Sequence, residues 1–504
     1  MKKILWSVCL LVFARAGCFS FEYMMGAYMS SYSAPANQVT ALSGGNWNDG
    51  HFDLALQTDF YFYGRKVTHI RIMTDGYIVF GFGGSPGETD ISANVSIPKP
   101  GAPNAYAAPW WDDWDLTNKG GIYYMTNYTV TVVEWRNVPH HDDPTSGYTF
   151  KVMLYSCYYP YCPNTIIFSY DDADSGDGTH DFGKTGTIGI ERYAGSQGEE
   201  FSYNTQSIAM NFSSLFLAPF VPAYDTTDFW GTGKPDATVF RPSQGAWYKR
   251  KNDGSASSVT FWGTRGDAAL PGDYDGDGAA EECVVRCDGW SYYWFSHDPA
   301  FVIQWGKLYD LPIPADYNGD GVTDIAVWRP EDGSWSIYFR GSGTADVVLW
   351  GTAGDIPLPA DYDGDGMADC AVYRPENKTW YIRRTTNPSS PWVVTWGADG
   401  DIPLPIKISG TDYSNICVYR PLSGLWFSYD QKGGAKSVLS WGADIDQPVP
   451  NDWDGSGMSN PAVFRPNEGK WFFYSATPVV ISWGTLGDKP RCRRSRSIIA
   501  PASR

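Results

Sequence analysis

Past its first twenty residues the sequence has no apolar run approaching the roughly 18–20 residues a helix needs to cross a bilayer, which excludes an integral helical membrane protein. Basic residues are few. Lys and Arg number 38 against 56 Asp and Glu, a formal net charge of −18, so so acidic a surface argues against a nucleic-acid partner. Histidine is scarcer still, six in 504 residues, and leaves acid–base chemistry few candidates. No His-Glu-x-x-His pattern occurs. Stretches with helical periodicity are also few. What is abundant is apolar and turn-forming: 43% hydrophobic and 16% aromatic residues, with 54 Gly and 34 Pro. That load buries ample core and excludes a disordered chain. Short strands between Gly, Pro and Asp turns predict an all-β protein.

The N-terminus carries its own signal. Met1-Lys2-Lys3 precedes an apolar stretch from Ile4 to Phe13 and then Ala14-Arg15-Ala16. A basic start, a short apolar run and an Ala-x-Ala site predict a secretory signal peptide over residues 1–18 and a secreted or cell-surface protein. Ala16-Gly17-Cys18 also has the shape of a lipoprotein box, but Arg15 stands where that box wants an aliphatic residue. Of the nine cysteines, Cys157 and Cys162 bracket Tyr-Tyr-Pro-Tyr and would come within bridging distance in a hairpin. Cys283, Cys370 and Cys417 sit in apolar strand segments and are expected to be buried free thiols.

The second half repeats itself. A Trp-Gly mark recurs at Trp262, Trp305, Trp350, Trp396, Trp441 and Trp483, at intervals of 42 to 46 residues. Arg-Pro closes a strand at Arg241, Arg329, Arg374, Arg420 and Arg465, with Arg286-Cys287 in the second unit. Each unit reads as four short strands, as in Leu311–Asp316, Ile325–Arg329, Ser334–Phe339 and Val347–Trp350 of the third. Repeated four-stranded units bury their faces best when a ring closes. The expected fold is therefore a six-bladed β-propeller over 218–490, with seven blades as the alternative and a basic disordered tail over 491–504.

Between the first two strands of several units lies an acidic loop. The second unit has Asp273-Tyr-Asp275-Gly-Asp277-Gly-Ala-Ala-Glu281, the third Asp316, Asn318, Asp320 and Asp324 in the same register, and the fourth Asp361, Asp363, Asp365 and Asp369. Oxygen ligands at positions 1, 3, 5 and 9, with a carbonyl at 7 and glycines for the turn, suit one Ca²⁺. Carboxylates this close repel without a cation between them. The sixth unit keeps a weaker set, Asp452, Asp454, Ser456 and Asn460. The first lacks a ligand at position 3, and the fifth puts Lys407 at position 1 and should be empty. The bland alternative is a set of Asp-Gly turns whose carboxylates cap backbone N–H groups.

These loops and the Arg-Pro strands resemble the FG-GAP/VCBS-like repeats of secreted bacterial proteins, relatives of the calcium-loop blades of integrin α chains. The resemblance implies a calcium-stabilised extracellular propeller used for binding or adhesion, with the ligands at the positions just named. It implies no reaction.

Two further marks recur. Asp267, Asp310, Asp355, Asp401, Asp446 and Asp488 follow the Trp-Gly marks and are expected to pair with the strand-ending arginines across blade boundaries. The repeated tryptophans read first as packing between blades and second as sugar platforms.

Residues 19–217 show no such repeat. Alternating runs such as Thr68–Met73, Thr129–Trp135, Tyr148–Tyr155 and Thr165–Tyr170 predict an antiparallel β-sandwich. The phrases Phe60–Gly64, Thr74–Gly81, Ala108–Trp114, Val133–Val138 and Thr187–Glu191 resemble a nidogen-like extracellular domain, which implies an adhesion or matrix module. His140-His141-Asp142-Asp143 reads as a solvated loop tip, Asp171–Asp177 as a solvated acidic turn with a cation site as the alternative, and Trp110, Trp111 and Trp114 as a plug at a core edge rather than a glycosidase cleft. The functional expectation is a non-catalytic, calcium-binding adhesion or recognition protein engaging an extracellular glycan or surface protein. A lectin and, behind it, a polysaccharide-active enzyme are the rivals.

Overall fold

A computed structural model of the chain describes residues 37–38, 50–62, 65–81, 105–155, 166–172, 179–181, 184–191, 198–203, 214–217, 227–241, 244–264, 267–288, 291–297, 300–307, 310–408, 411–443, 446–465, 468–475, 479–485, 488–491 and 498–499. The signal peptide, Cys18, the pair Cys157 and Cys162, and most of Asp171–Asp177 lie outside the described residues. Among those described, the regular elements are strands, apart from the 3₁₀ turn Pro421–Ser423 and a 3₁₀ residue at Asp181. The all-β expectation holds.

The first half forms two antiparallel sheets. One runs Asn37–Gln38, Gly121–Thr126, Val130–His140, Asp143–Tyr155, Ile166–Asp172, Ser214–Leu217 and Ile498–Ile499. The other runs Gly198–Tyr203, Thr187–Glu191, Tyr106–Trp111, Ile78–Gly81, Arg65–Met73 and His51–Phe62. Alternation explains their packing: Tyr148, Phe150, Val152 and Leu154 turn one face inward and meet Ile70, Ile72, Ile78 and Phe80 of the other sheet in one core. Trp110, Trp111 and Trp114 are fully buried, as the core-edge reading expects. Trp135 crosses between the sheets, its indole N–H donating to the Met73 carbonyl at 3.0 Å. The basic tail is not wholly free, since Ile498–Ile499 pairs antiparallel with Ser214–Leu217.

The second half holds six four-stranded antiparallel sheets among the described residues. Five are made from consecutive strands. The remaining one takes its first strand, Lys489–Arg491, from the far end of the repeat region and pairs it with Ala237–Arg241. The tryptophans explain how the sheets succeed one another. In each Trp-Gly mark the indole N–H donates to a backbone carbonyl of the next sheet: Trp262 to Phe295, Trp305 to Ser336, Trp350 to Tyr381, Trp396 to Phe427, Trp441 to Phe472. Trp483 then donates to Tyr248 of the first sheet at 3.1 Å, which closes the cycle. A second, buried set on the third strands (Trp247, Trp294, Trp335, Trp380, Trp426 and Trp471) donates to the carbonyls of the Trp-Gly residues in its own sheet. The indoles are committed to packing. Glycine follows each Trp because all six positions have positive φ, from 99° at Gly306 to 130° at Gly484.

All six Arg–Asp pairs form, Arg241–Asp488, Arg286–Asp267, Arg329–Asp310, Arg374–Asp355, Arg420–Asp401 and Arg465–Asp446. Each is a two-pronged contact through Nε and Nη2, as Arg374 shows at 2.7 and 2.9 Å. Their placement corrects the expectation. The Asp stands just before the first strand of a sheet and the Arg lies at the end of the second strand of that same sheet (two residues before the end for Arg286), so the clamp lies within a sheet and not across a boundary. The reason is the crossing segment itself. Asp355 also accepts the Thr352 N–H at 2.9 Å, fixing the turn by which the chain enters the new sheet. The Asp355 side chain is wholly buried, so Arg374→Met would strand a carboxylate without its counter-ion. We expect a loss of about 3 kcal/mol and a melting temperature lower by roughly 6 °C or more, read by thermal melt. An unchanged melt would refute the clamp.

Cys283, Cys370 and Cys417 are buried free thiols, as expected. Burial pushes the Cys370 thiol up to about 12, which makes it unreactive at neutral pH.

Candidate functional site

Each acidic loop hangs between a short first strand and a long second one, and an isolated bridge closes its neck: Gly272 with Glu281, Ala315 with Asp324, Ala360 with Asp369, Asn451 with Asn460. Position 1 folds the loop inward. Asp273 accepts the N–H groups of Gly276 and Gly278 at 2.7 and 3.0 Å, and Asp316 and Asp361 do the same with their own glycines. These glycines have φ between 76° and 90° in the second, third and fourth loops, a turn that an L side chain rarely adopts. The capping of backbone donors foreseen as the bland alternative is therefore present.

The ninth position caps a backbone donor as well, but from a buried place. Glu281, Asp324 and Asp369 are buried at the loop neck and accept the N–H of Tyr274, Tyr317 and Tyr362. Burial first, and then the facing carboxylates Asp275, Asp273 and Asp277, push Glu281 up to about 8. Burial likewise raises Asp324 to about 7, with Asp320 and Asp316 adding, and Asp369 to about 7, with Asp363 adding. A cation placed among these oxygens would reverse those shifts.

The loops differ in how far their ligands converge. Asp273, Asp275, Asp277 and Glu281 bring one oxygen each within 4.8 Å of one another, and so do Asp361, Asp363 and Asp365. In the fourth loop Asp369 stands outside that set, its Oδ1 taken by the Thr385 N–H and hydroxyl. Thr386 donates to Asp363 Oδ2 and Thr385 to Asp365, while Asp363 Oδ1 is buried without a hydrogen-bond partner. In the third loop the Asn318 amide donates to Asp320 at 3.0 Å. In the sixth the Asn460 amide donates to Asp454 at 3.0 Å, so a neutral group fills the place a cation would take. The fifth loop is held by uncharged bonds, with Thr411 and the Ile408 N–H both donating to Asn415. The donor set of the second and fourth loops, all oxygen and largely anionic, fits a hard divalent ion.

One feature has no signature within any single loop. The eighth residue of each loop donates its backbone N–H to the first residue of the loop before it: Ala280 to Asp228, Thr323 to Asp273, Ala368 to Asp316, Ser414 to Asp361, Ser459 to Lys407, at 2.6 to 2.8 Å. At the sixth-to-first junction the eighth residue is Pro235, which has no N–H. The Asn252 side chain instead donates to the Trp453 carbonyl at 2.7 Å.

In the first half the structure overturns the solvated-tip reading of His140. Its ring is buried, with Nε2 3.4 Å from Asp112 Oδ1, and it stacks on His180 with ring centroids 3.7 Å apart. His141 and Asp142 are exposed, as expected of a tip. His180 lies 40 residues from His140 and drew no notice in the sequence. Its surroundings contain the letters of a P-loop, Gly178-x-x-x-x-Gly183-Lys184-Thr185. The structure removes that meaning. Residues 184–186 run directly into the strand Thr187–Glu191 with no helix to cradle a phosphate, and the Thr185 hydroxyl donates to Asp112. Gly83-Gly-Ser-Pro-Gly87, which has the letters of a nucleophile elbow, lies outside the described residues.

A family model described as NIDO related matches residues 19–219. The match spans the half whose phrases resemble a nidogen-like domain. No curated protein matches the chain. Among solved structures, a streptogramin B lyase is similar at 8% identity and a TM-score of 0.36, covering 53% of this chain and 84% of that one. A lectin of Agrocybe aegerita that recognises non-reducing terminal N-acetylglucosamine is similar at 15% identity and a TM-score of 0.34, covering 63% and 88%. Virginiamycin B lyase from Staphylococcus aureus follows at 7% identity and a TM-score of 0.32, covering 52% and 86%. At these scores none of the three bears on what this chain binds. Among the described residues no helix is long and apolar enough to cross a membrane.

Proposed function

We propose that this chain is an exported, calcium-stabilised recognition protein that works without catalysis and engages a glycan, a matrix component or a cell-surface protein. The observation that carries the reading is the second acidic loop, where Asp273, Asp275, Asp277 and Glu281 converge and Glu281 is buried against three like charges. Repetition supports it, since the third and fourth loops keep the same register and Asp363 Oδ1 is buried without a partner. Ca²⁺ would be held by Asp273, Asp275, Asp277 and Glu281, by Asp316, Asn318, Asp320 and Asp324, and by Asp361, Asp363, Asp365 and Asp369. Bound there, it supplies charge neutralisation and nothing else. The sixth loop, with Asn460 on Asp454, takes calcium weakly or not at all. The repeat is of the FG-GAP/VCBS type in this reading, and the NIDO-related half is its extracellular companion.

The experiment is binding of the full chain to a glycan array and to immobilised matrix proteins, in calcium and in EGTA, with each bound glycan then examined for cleavage. Saturable binding that weakens in EGTA, with the ligand recovered intact, is the expected result. Depolymerisation of a bound polysaccharide would replace the reading with that of an enzyme. Because the indoles are spent on packing, glycan binding that disappears only on replacing exposed aromatic residues outside the repeat would move recognition to the NIDO-related half.

A further inference from the structure

The fourth acidic loop is tied down from outside itself. The turn that follows the third strand of its sheet, Thr379–Arg383, comes back over the loop and sets two hydroxyls on its carboxylates. Thr386 donates its hydroxyl, and its N–H at 3.3 Å, to Asp363 Oδ2. The Thr385 hydroxyl lies 2.6 Å from Asp365 Oδ2 and 3.0 Å from Asp369 Oδ1, and the Thr385 N–H donates to that same Asp369 oxygen at 2.7 Å. Asp363 Oδ1 is left buried without a partner.

We propose that Thr385 and Thr386 are positioning residues for a calcium ion in the fourth loop, holding Asp365 and Asp363 beside Asp361. The inference rests on the calcium reading above and adds to it two residues from outside the acidic motif. The comparison with the second loop shows why they are needed. There Glu281 accepts the Tyr274 N–H through Oε2 and still joins the converging set of Asp273, Asp275 and Asp277. Asp369 is a methylene shorter. Its Oδ2 takes the Tyr362 N–H and its Oδ1 the Thr385 N–H, so both oxygens are engaged at the loop neck. Asp361, Asp363 and Asp365 converge without it. Three carboxylates at that spacing repel, and Asp365 is exposed, with water to swing into. Thr385 links Asp365 to the buried Asp369, and Thr386 pins one oxygen of Asp363 while the other is left for an ion.

A hydroxyl suits this task. It steadies a ligating carboxylate without cancelling its charge, whereas an ammonium or guanidinium on the same oxygens would stand in the ion's place. The Lys432 ammonium, which reaches this loop from the fifth unit, bonds the backbone carbonyl of Asp363 at 2.8 Å. Among the six units the Thr-Thr pair occurs at this register in the fourth alone. The third has Arg340-Gly341 there and the fifth Gln431-Lys432. In the third unit the register has no room for a side chain either, since a Cβ on Gly341 would stand 2.3 Å from Asp320 Oδ2. Ligands held ready in this way cost less to order when the ion arrives.

The test is calorimetric titration of full-length chain, stripped of metal, with calcium chloride. Asp273→Asn and Asp316→Asn together form a background in which the second and third loops are disabled, and one equivalent should remain. In that background Thr385→Val and Thr386→Val should each weaken binding by about 10–100-fold, and Thr386→Ser, which keeps the hydroxyl, should stay within about threefold. Both valine variants change partly exposed positions and should melt in EGTA within about two degrees of the background. Calcium bound as tightly by the two valine variants as by the background would overturn the inference while leaving the calcium reading intact. So would a background that takes up no calcium beside an unmodified chain that does. No uptake by the unmodified chain would overturn both.

Discussion

Adding EGTA to the full chain is expected to lower the melting temperature of the repeat region by roughly 10–20 °C. The size follows from linkage. An ion present at a thousand times its dissociation constant adds about 4 kcal/mol per site, and three intact loops are in question. The direction follows from the buried carboxylates. Without a cation, Glu281 holds its proton up to about 8 in the fold and sheds it near its ordinary value of 4.5 once unfolded. The fold thus binds more protons than the unfolded chain between those values, and the stability of the metal-free protein falls as pH rises from about 4.5 to 8. Asp324 and Asp369, raised to about 7, add to the same fall. Melts of chain freed of calcium beforehand, at pH 5 and pH 8 in calcium-free buffer, should therefore differ, with the acidic sample more stable. Saturating calcium should flatten or reverse that slope, because the bound form keeps the carboxylates ionised. Identical melts with and without EGTA at pH 8 would refute the calcium reading.

Ending the chain at residue 487 is the second large effect. It removes Asp488 and the strand Lys489–Arg491, which forms an edge of the first sheet, together with Ile498–Ile499 on Ser214–Leu217 of the first half. Arg241 then loses a two-pronged contact of 2.6 and 2.9 Å, and the buried Val239 and Phe240 lose the strand beside them. The cost is on the order of 5 kcal/mol, and the ring opens at the border between its sixth and first sheets. Asp488→Ala keeps the strand and should cost about 2 kcal/mol, which separates the clamp from the strand pairing. A truncated chain melting within two or three degrees of the full one, with unchanged resistance to protease, would show that the closing strand is dispensable.

The ring was legible because its signals recur at a fixed period. Trp-Gly marks a position that needs both an indole N–H and a positive φ, and no local accident repeats that at near-equal spacing. The acidic loops were legible for the same reason, down to the fifth loop, where Lys407 replaces the first carboxylate. The partners of Asp355 and its five counterparts were named correctly but assigned to the wrong side, because a sequence shows that two charges recur and not which strand each one faces. His180 was invisible for a plainer cause. It approaches His140 only once strands distant in sequence have paired, and no spacing rule joins residues 40 apart. The chain of bonds between loops escaped notice because each link joins one repeat to the next, whereas a motif is read within a repeat.

That chain of bonds has two ends. Five junctions pass an amide from one loop to the carbonyl of its predecessor, and at the remaining one Pro235 has nothing to pass. The series of amide links stops at the border of Asp452 and Asp228, where the side chain of Asn252 donates to the Trp453 carbonyl instead. The ring is therefore closed at that border by side chains and by the strand Lys489–Arg491, and not by the loop-to-loop amides that serve the other five.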